Sequence, residues 1–474
     1  MASALPENRA RFTLGELVSA TQGTLSGAAS GDGGVVGVQT DSRADLNGKL
    51  FVALGGERFD GHEFVQAAVR NGAGAVLVER DVGEVSVPVL RVGSSLRALG
   101  AIAAAHRRRF PGRVVAIAGS AGKTTTRSSV GALLGLVAPG AVHQTQGNLN
   151  NLIGVPLVLL GLAPEHRFAV VEVGTNAVGE VPALTALAAP DVGVLTLIGI
   201  EHSEGLGDLD GIEREEGALF AGLTSNAAAV GNADDARVAR QLERAPVTRR
   251  IRYGFAAGAD VRCVSRTAAG VGRQRMLVTG RPAPLALELS LLGEAGAYAA
   301  LAAVAVAEAL GVALPDAASV SRALSEAGEP GRLEVHELPD GTIVLDDAYN
   351  ANPASALSSL KTAIEVARDR RARLVLVFGE MRELGAVSVR EHTRIGEAIA
   401  TSGAAELIAV AGDARFFVEP AQNGGVESVF AADADAALAA ARARVRPGDV
   451  VLVKASRGVR AERVVQGLIG QGAP

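Results

Sequence analysis

The segment best suited to specific chemistry is Gly119-Ser120-Ala121-Gly122-Lys123-Thr124-Thr125-Thr126, which follows the apolar run Val114 to Ala118. A buried strand that feeds a glycine-containing turn and then a helix aims backbone N–H groups and the positive end of the helix dipole at one point. That arrangement suits phosphate. Lys123 could reach the β- and γ-phosphates of a nucleotide, and the Thr124 hydroxyl could bind Mg²⁺. The loop is shorter than the common pattern, which places a glycine where Ile117 stands. A glycine turn that only caps a helix is the competing reading of this stretch alone.

Two further residues could serve a metal. Glu172 follows the apolar strand Phe168 to Val171, and a carboxylate at the C-terminal end of a strand can hold Mg²⁺. His202 closes the next expected strand region, Val192 to Ile200. Each has a bland alternative, a solvated strand-end acid and a structural histidine.

These residues need elements to position them. At roughly 150 residues per domain, a chain of 474 residues predicts three. Residues 1–92 carry short β-type runs (Val35 to Val38, Leu50 to Leu54, Ala75 to Val78, Val89 to Val92) and a helix over Gly61 to Asn71, which reads as a small α/β domain. Residues 93–329 alternate apolar strands with helices, the pattern of a parallel sheet covered on both faces. A hairpin region is expected at Asp260 to Leu289 and an Ala-rich helix at Ala297 to Leu310. After the turn Gly328-Glu329-Pro330-Gly331, residues 330–474 form a second α/β unit with strands at Ile343 to Leu345, Leu374 to Phe378, Leu407 to Val410 and Val450 to Val453. Ala431 to Ala443 reads as a helix.

Composition narrows the class. A net charge of -5 is not the footprint of a nucleic-acid binder. The basic run His106 to Arg109 suits a helix C-terminus. One cysteine, Cys263, excludes an intrachain disulfide and a multi-thiolate metal site. Met1 to Arg11 makes a poor signal peptide, and no apolar run of about 18 residues is evident, so no membrane insertion and a cytoplasmic location are expected.

Several segments together resemble the Mur ligase family, over nearly the whole chain. They are Thr40-Asp41-Ser42-Arg43 and Leu50 to His62; the loop Gly119 to Thr125; Thr145 to Asn151 with Ile153 to Pro156; Glu172-Val173-Gly174; His202 with Glu204-Gly205; Gly331 to Glu334; Asp346 to Pro353; Gly379 to Gly385; and Lys454 to Arg457. The resemblance implies an α/β protein of three domains: a UDP-substrate domain, a central P-loop ATPase domain and a C-terminal Rossmann-like domain. It implies an ATP-dependent, ADP-forming amide ligase that uses Mg²⁺, passes through an acyl phosphate, and acts on UDP-MurNAc-tripeptide and D-Ala-D-Ala. A monomer that closes its third domain on ATP is expected.

The residue roles follow by the same resemblance. Lys123, Glu172, His202 and Glu216 would be catalytic, with Thr124, Glu172 and His202 holding metal. Gly119, Ser120, Ala121, Gly122, Lys123, Thr124, Thr125, Arg332 and Asp347 would bind ATP. Asp41, Ser42, Arg43, Asn148, Asn150, Asn151, Tyr349, Asn350 and Asn352 would bind the other substrates.

Three positions depart from the family pattern. Glu216 stands where a carbamylated lysine is usual and would supply a permanent charge in its place. Ala295, Gly296 and Ala299 replace polar adenine contacts, although Tyr298 could stack on a base. Leu197 replaces a common Asn. Two other readings stay open: a ligase adding a single amino acid or a glutamate to folate, and a non-catalytic nucleotide-binding relative.

Overall fold

The computed structural model describes residues 6–27, 33–56, 59–280 and 284–470. Glu57 and Arg58 of the Leu50 to His62 motif lie outside them. The chain divides into two compact units, 1–116 with 138–175 and 179–191, and 117–137 with 176–178 and 192–474.

The first unit contains a five-stranded sheet in the order Thr24–Ser26, Val89–Arg91, Ala75–Val78, Leu50–Val52, Val38–Gln39. Only the Thr24–Ser26 pairing is antiparallel. Phe51, Val76 and Val78 pack with Leu46, Val65 and Ala68 into one core. Thr13 and Glu16 form a reciprocal capping box that starts helix Leu14–Thr21. Farther along, strands Val142–Gln144 and Phe168–Glu172 pair in parallel. Helix Ser95–Arg107 places His106 and Arg107 in its last turn, as expected of a helix C-terminus.

In the second unit, strands Val192–Leu195, Ala228–Asn232, Arg249–Gly254 and Val261–Ala268 run parallel. The expected hairpin region follows as the antiparallel strands Gln274–Thr279 and Leu285–Leu289. Helix Gly293–Leu310 packs against helix Lys123–Val137 and against strand Arg249–Gly254. By length and composition it could cross a membrane, although Glu294 and Glu308 interrupt its apolar run. In the fold 67% of it is buried, and its small side chains make it a core helix.

The same unit holds a six-stranded sheet in the order Glu334–Glu337, Ile343–Asp347, Val450–Lys454, Leu374–Gly379, Glu406–Val410, Glu427–Ala431. Only its first pairing is antiparallel. Helices Pro353–Arg370 and Ser388–Ala400 cover one face and Ala434–Arg444 and Glu462–Ile469 the other. Two boundaries differ from the sequence reading. Ala431 ends a strand and the helix begins at Ala434. The strand expected to reach Ile200 stops at Leu195, and irregular backbone carries the chain on to His202.

Candidate active site

Strand Arg113–Ala118 delivers the chain into the turn that precedes helix Lys123–Val137. Gly119 has φ +123° and Gly122 φ +83°. A Cβ on Gly119 would lie 2.3 Å from Thr196 Oγ1 and 2.9 Å from Leu197 O, so glycine is required there by both space and backbone. Thr196 N donates to Ala118 O at 3.1 Å and Ser120 N to Leu197 O at 2.8 Å, and Gly199 N donates to Ser120 Oγ at 2.9 Å. The turn is thereby laced to the irregular segment that leads to His202.

Two of the loop's backbone N–H groups are already bonded within the protein. Gly119 N donates to Glu216 Oε2 at 2.7 Å, and Ser120 N is bound to Leu197. The groups from Ala121 to Thr124, at the start of the helix, are the remaining candidates. Lys123 turns inward: its Nζ donates to Gly119 O at 2.5 Å and lies 3.6 Å from Glu201 Oε1, with its side chain only 14% exposed.

Glu216, on helix Leu209–Ala221, is fully buried rather than a surface acid. Burial raises its carboxyl most; Lys123 draws it down, while the Glu201 charge and a hydrogen bond to Glu201 raise it again, leaving it at about 8. The permanent charge expected from sequence is therefore not what this setting favours near neutral pH. Glu201, not singled out in the sequence, joins the cluster from the position just before His202. His202 has φ +45°, places Nδ1 2.6 Å from Glu383 Oε2, and leaves Nε2 3.7 Å from Glu201 Oε2. Glu383 also sits at a left-handed φ of +64°. Two non-glycine residues held in that region mark a spot where surrounding structure overrides backbone preference.

Residues from the six-stranded sheet region meet the same turn. Asn352 Nδ2 donates to Ser120 O at 2.9 Å and lies 3.5 Å from Glu201 Oε2, while its Oδ1 accepts from Ser355 N at 2.8 Å to cap helix Pro353–Arg370. Asp347 pairs with buried Lys454 at 2.7 Å and accepts from Ser359 Oγ. Lys454 Nζ also donates to Asn350 O at 2.8 Å. Burial pulls the Lys454 ammonium below its usual range and the Asp347 carboxylate opposes the shift. The Tyr349 ring carries Arg332 4.4 Å and Arg457 5.3 Å from its centroid. The Tyr298 hydroxyl donates to Asp234 at 3.0 Å and its ring meets that of Phe255 in a T-shaped contact at 5.1 Å.

In the first unit, Glu172 N donates to Thr145 Oγ1 at 2.9 Å and Asn150 Nδ2 to Glu172 Oε1 at 2.9 Å. Asn151 Oδ1 accepts from Gly154 N at 2.8 Å at the start of helix Gly154–Leu160, and Asn148 O accepts from Asn150 N at 2.8 Å. Asp41 is bridged by Arg43 through Nε at 2.9 Å and Nη2 at 2.8 Å, and Ser42 O accepts from Asn71.

Within the second unit, Lys123, Thr124, Glu201, His202 and Glu216 offer one ammonium, two carboxyls, a hydroxyl and an imidazole nitrogen. The acids outnumber the cation. Such a donor set fits a further divalent ion, with Thr124 and the open side of His202 Nε2 as ligands.

Comparison with known proteins agrees with this geometry. Residues 34–107 match the model described as Mur ligase family, catalytic domain; 117–307 match the Mur ligase middle domain, and 331–457 the Mur ligase glutamate ligase domain. The Escherichia coli UDP-N-acetylmuramoyl-tripeptide–D-alanyl-D-alanine ligase is 36% identical over 96% of this chain and 98% of its own length. A crystal structure of MurF from Acinetobacter baumannii superposes with a TM-score of 0.86 at 30% identity, covering 98% of this chain and 99% of that one. The MurF ligase of Thermotoga maritima, solved in complex with ADP, gives a TM-score of 0.79 at 28% identity, over 92% of this chain and 97% of that one. The chain belongs to the Mur ligase family.

Proposed function

We propose that this protein joins D-Ala-D-Ala to UDP-MurNAc-tripeptide at the expense of ATP, in the synthesis of peptidoglycan precursors. A carboxylate cannot be attacked by an amine directly, because oxide would have to leave. In this reading the tripeptide's terminal carboxylate takes the γ-phosphoryl group of ATP, giving an acyl phosphate and ADP. The amine of D-Ala-D-Ala then attacks the acyl carbon, and inorganic phosphate departs as the amide forms and the amine loses its proton.

The chain's own groups supply position and charge. Lys123 holds the terminal phosphates, with the N–H groups of Ala121 to Thr124 beside it. Arg332 is the candidate for phosphate contact from beyond the Gly331 turn. Asp347, already paired with Lys454, acts by fixing that lysine and the Asn350 backbone. Glu172 keeps its proposed role as a metal-holding carboxylate, and Asn148, Asn150 and Asn151 theirs in substrate contact. Asp41 to Arg43 are proposed to hold the UDP-sugar end. Mg²⁺, when bound, offsets charge on the transferring phosphoryl group. Glu216, protonated near neutral pH in this setting, is proposed to stand in for a lysine carbamate by giving up its proton when Mg²⁺ binds, and an unchanged Mg²⁺-dependent rate in Glu216→Gln would remove that idea.

The observation that carries the reading is the inward-turned Lys123 at a turn that requires glycine, facing the Glu201 and Glu216 carboxyls. The test is phosphate release with ATP, UDP-MurNAc-tripeptide and each candidate amine in turn. Release with D-Ala-D-Ala and not with single amino acids is expected; release with none of them would overturn the proposal.

A further inference from the structure

Away from Lys123, the edge strand Glu334–Glu337 pairs antiparallel with Ile343–Asp347. The register sets Glu334 opposite Asp346 and His336 opposite Val344. Side chains alternate faces along a strand, so Glu334, His336 and Asp346 share one face of this ribbon. One ligand atom from each lies within 4.8 Å of the other two.

Charge balance there is incomplete. Asp346 is nine-tenths buried, and Ala348 N donates to its Oδ1 at 3.0 Å. The His336 Nε2 atom is shielded from solvent without a hydrogen-bond partner among the described residues, and it stands 3.9 Å from Glu334 Oε2, beyond hydrogen-bond reach. Among the described residues neither Glu334 nor Asp346 forms an ion pair with lysine or arginine, whereas neighbouring Asp347 has Lys454 at 2.7 Å. Like charges placed directly opposite on a ribbon repel. Burial and then the Glu334 charge push the Asp346 carboxyl above its usual range. Buried carboxylates are normally paired or bound to metal.

We propose that Glu334, His336 and Asp346 form a binding site for a divalent transition-metal ion of the Zn²⁺ class. One imidazole nitrogen with two carboxylate oxygens suits such an ion, whereas Ca²⁺ and Mg²⁺ prefer oxygen alone. Gly331 N donates to Glu334 Oε2 at 3.3 Å, so the ion would tie the edge strand to the turn that presents Arg332. Its role is structural, and it does not depend on the ligase reading.

The test is calorimetric titration of Zn²⁺ alone into the full chain in excess Mg²⁺, which occupies hard oxygen sites. Wild type is expected to bind one equivalent more than either His336→Ala or Glu334→Gln. Co²⁺ in place of Zn²⁺ is expected to give a visible absorption band that both variants lose. Glu334 is an exposed edge-strand residue, so its variant keeps the test valid if His336→Ala misfolds. Equal Zn²⁺ stoichiometry in wild type and Glu334→Gln, or no binding by wild type, would overturn the site.

Discussion

Lys123 has little freedom to be replaced. Its ammonium bonds Gly119 O and faces Glu201, inside a largely enclosed turn. Lys123→Met is expected to lower phosphate release by roughly 10²- to 10³-fold while leaving the thermal transition near that of wild type, by analogy with losing one charged stabilising group. A variant with undiminished turnover would remove Lys123 from the chemistry. Glu216 makes a prediction in pH. Its folded value, about 8, lies above the ordinary 4.5, so the fold prefers the protonated carboxyl. The stability this gives is full below the ordinary value, declines across the interval, and is gone above the folded one. Glu216→Gln copies the protonated form. Urea unfolding at about pH 5.5 and about pH 8.5 should show wild type losing on the order of a few kcal/mol relative to the variant. Parallel pH profiles would refute this. Glu383 makes a third. By accepting from His202 Nδ1 it fixes the tautomer that leaves Nε2 for metal. Glu383→Ala should weaken apparent Mg²⁺ affinity by roughly 10- to 100-fold, and Glu383→Gln, which keeps an acceptor, should restore most of it. A Mg²⁺ titration of phosphate release, with circular dichroism as the folding control, decides.

At the scale of elements, the sequence disclosed those whose signal is local. The run Val114 to Ala118 and the glycines after it announced strand, turn and helix. At the start of helix Pro353–Arg370, Asn352 and Ser355 form a reciprocal cap. What stayed hidden depends on pairing between distant segments. Nothing local marks Leu195 as a strand end; the strand stops because Thr196, Leu197 and Gly199 turn their backbone groups to the phosphate loop. That same bend brings Glu201 to Lys123, which is why Glu201 was missed. Glu383 was visible only as part of a motif, since its His202 partner lies 181 positions earlier. Asn352 shows how one residue serves two elements. Asn352→Ala should cost about 1 kcal/mol as a lost cap and also release Ser120 O. Asn352→Asp keeps the cap but faces Ser120 O and Glu201 with a carboxylate, so near-wild-type stability with reduced turnover is expected. Denaturant unfolding alongside phosphate release separates the two effects.

At the scale of the molecule, polar ties join the two sheet regions of the second unit beside the apolar packing of Leu292 and Ile200 against the core of the six-stranded sheet. Asn352 reaches Ser120, Glu383 reaches His202, Arg266 clasps Glu365 through contacts of 2.7 and 2.9 Å, and Lys361 meets Glu294 at 2.5 Å. Partly exposed ion pairs are each worth little, because water competes for both charges. Such an interface suits a hinge, and the chain passes through Glu329 and Gly331 between the two regions, with Gly331 at φ +69°. Arg127 anchors the near side of that passage on Glu329. Reversing charge at Glu365 and removing Glu383 together should open the unit, raising the radius of gyration measured by small-angle scattering. Because bound nucleotide supplies contacts of its own, ATP with UDP-MurNAc-tripeptide should bring the double variant back toward wild type. A double variant as compact as wild type without ligand would show that these ties do not hold the closed form, and one that stays expanded with both ligands would deny that nucleotide drives closure.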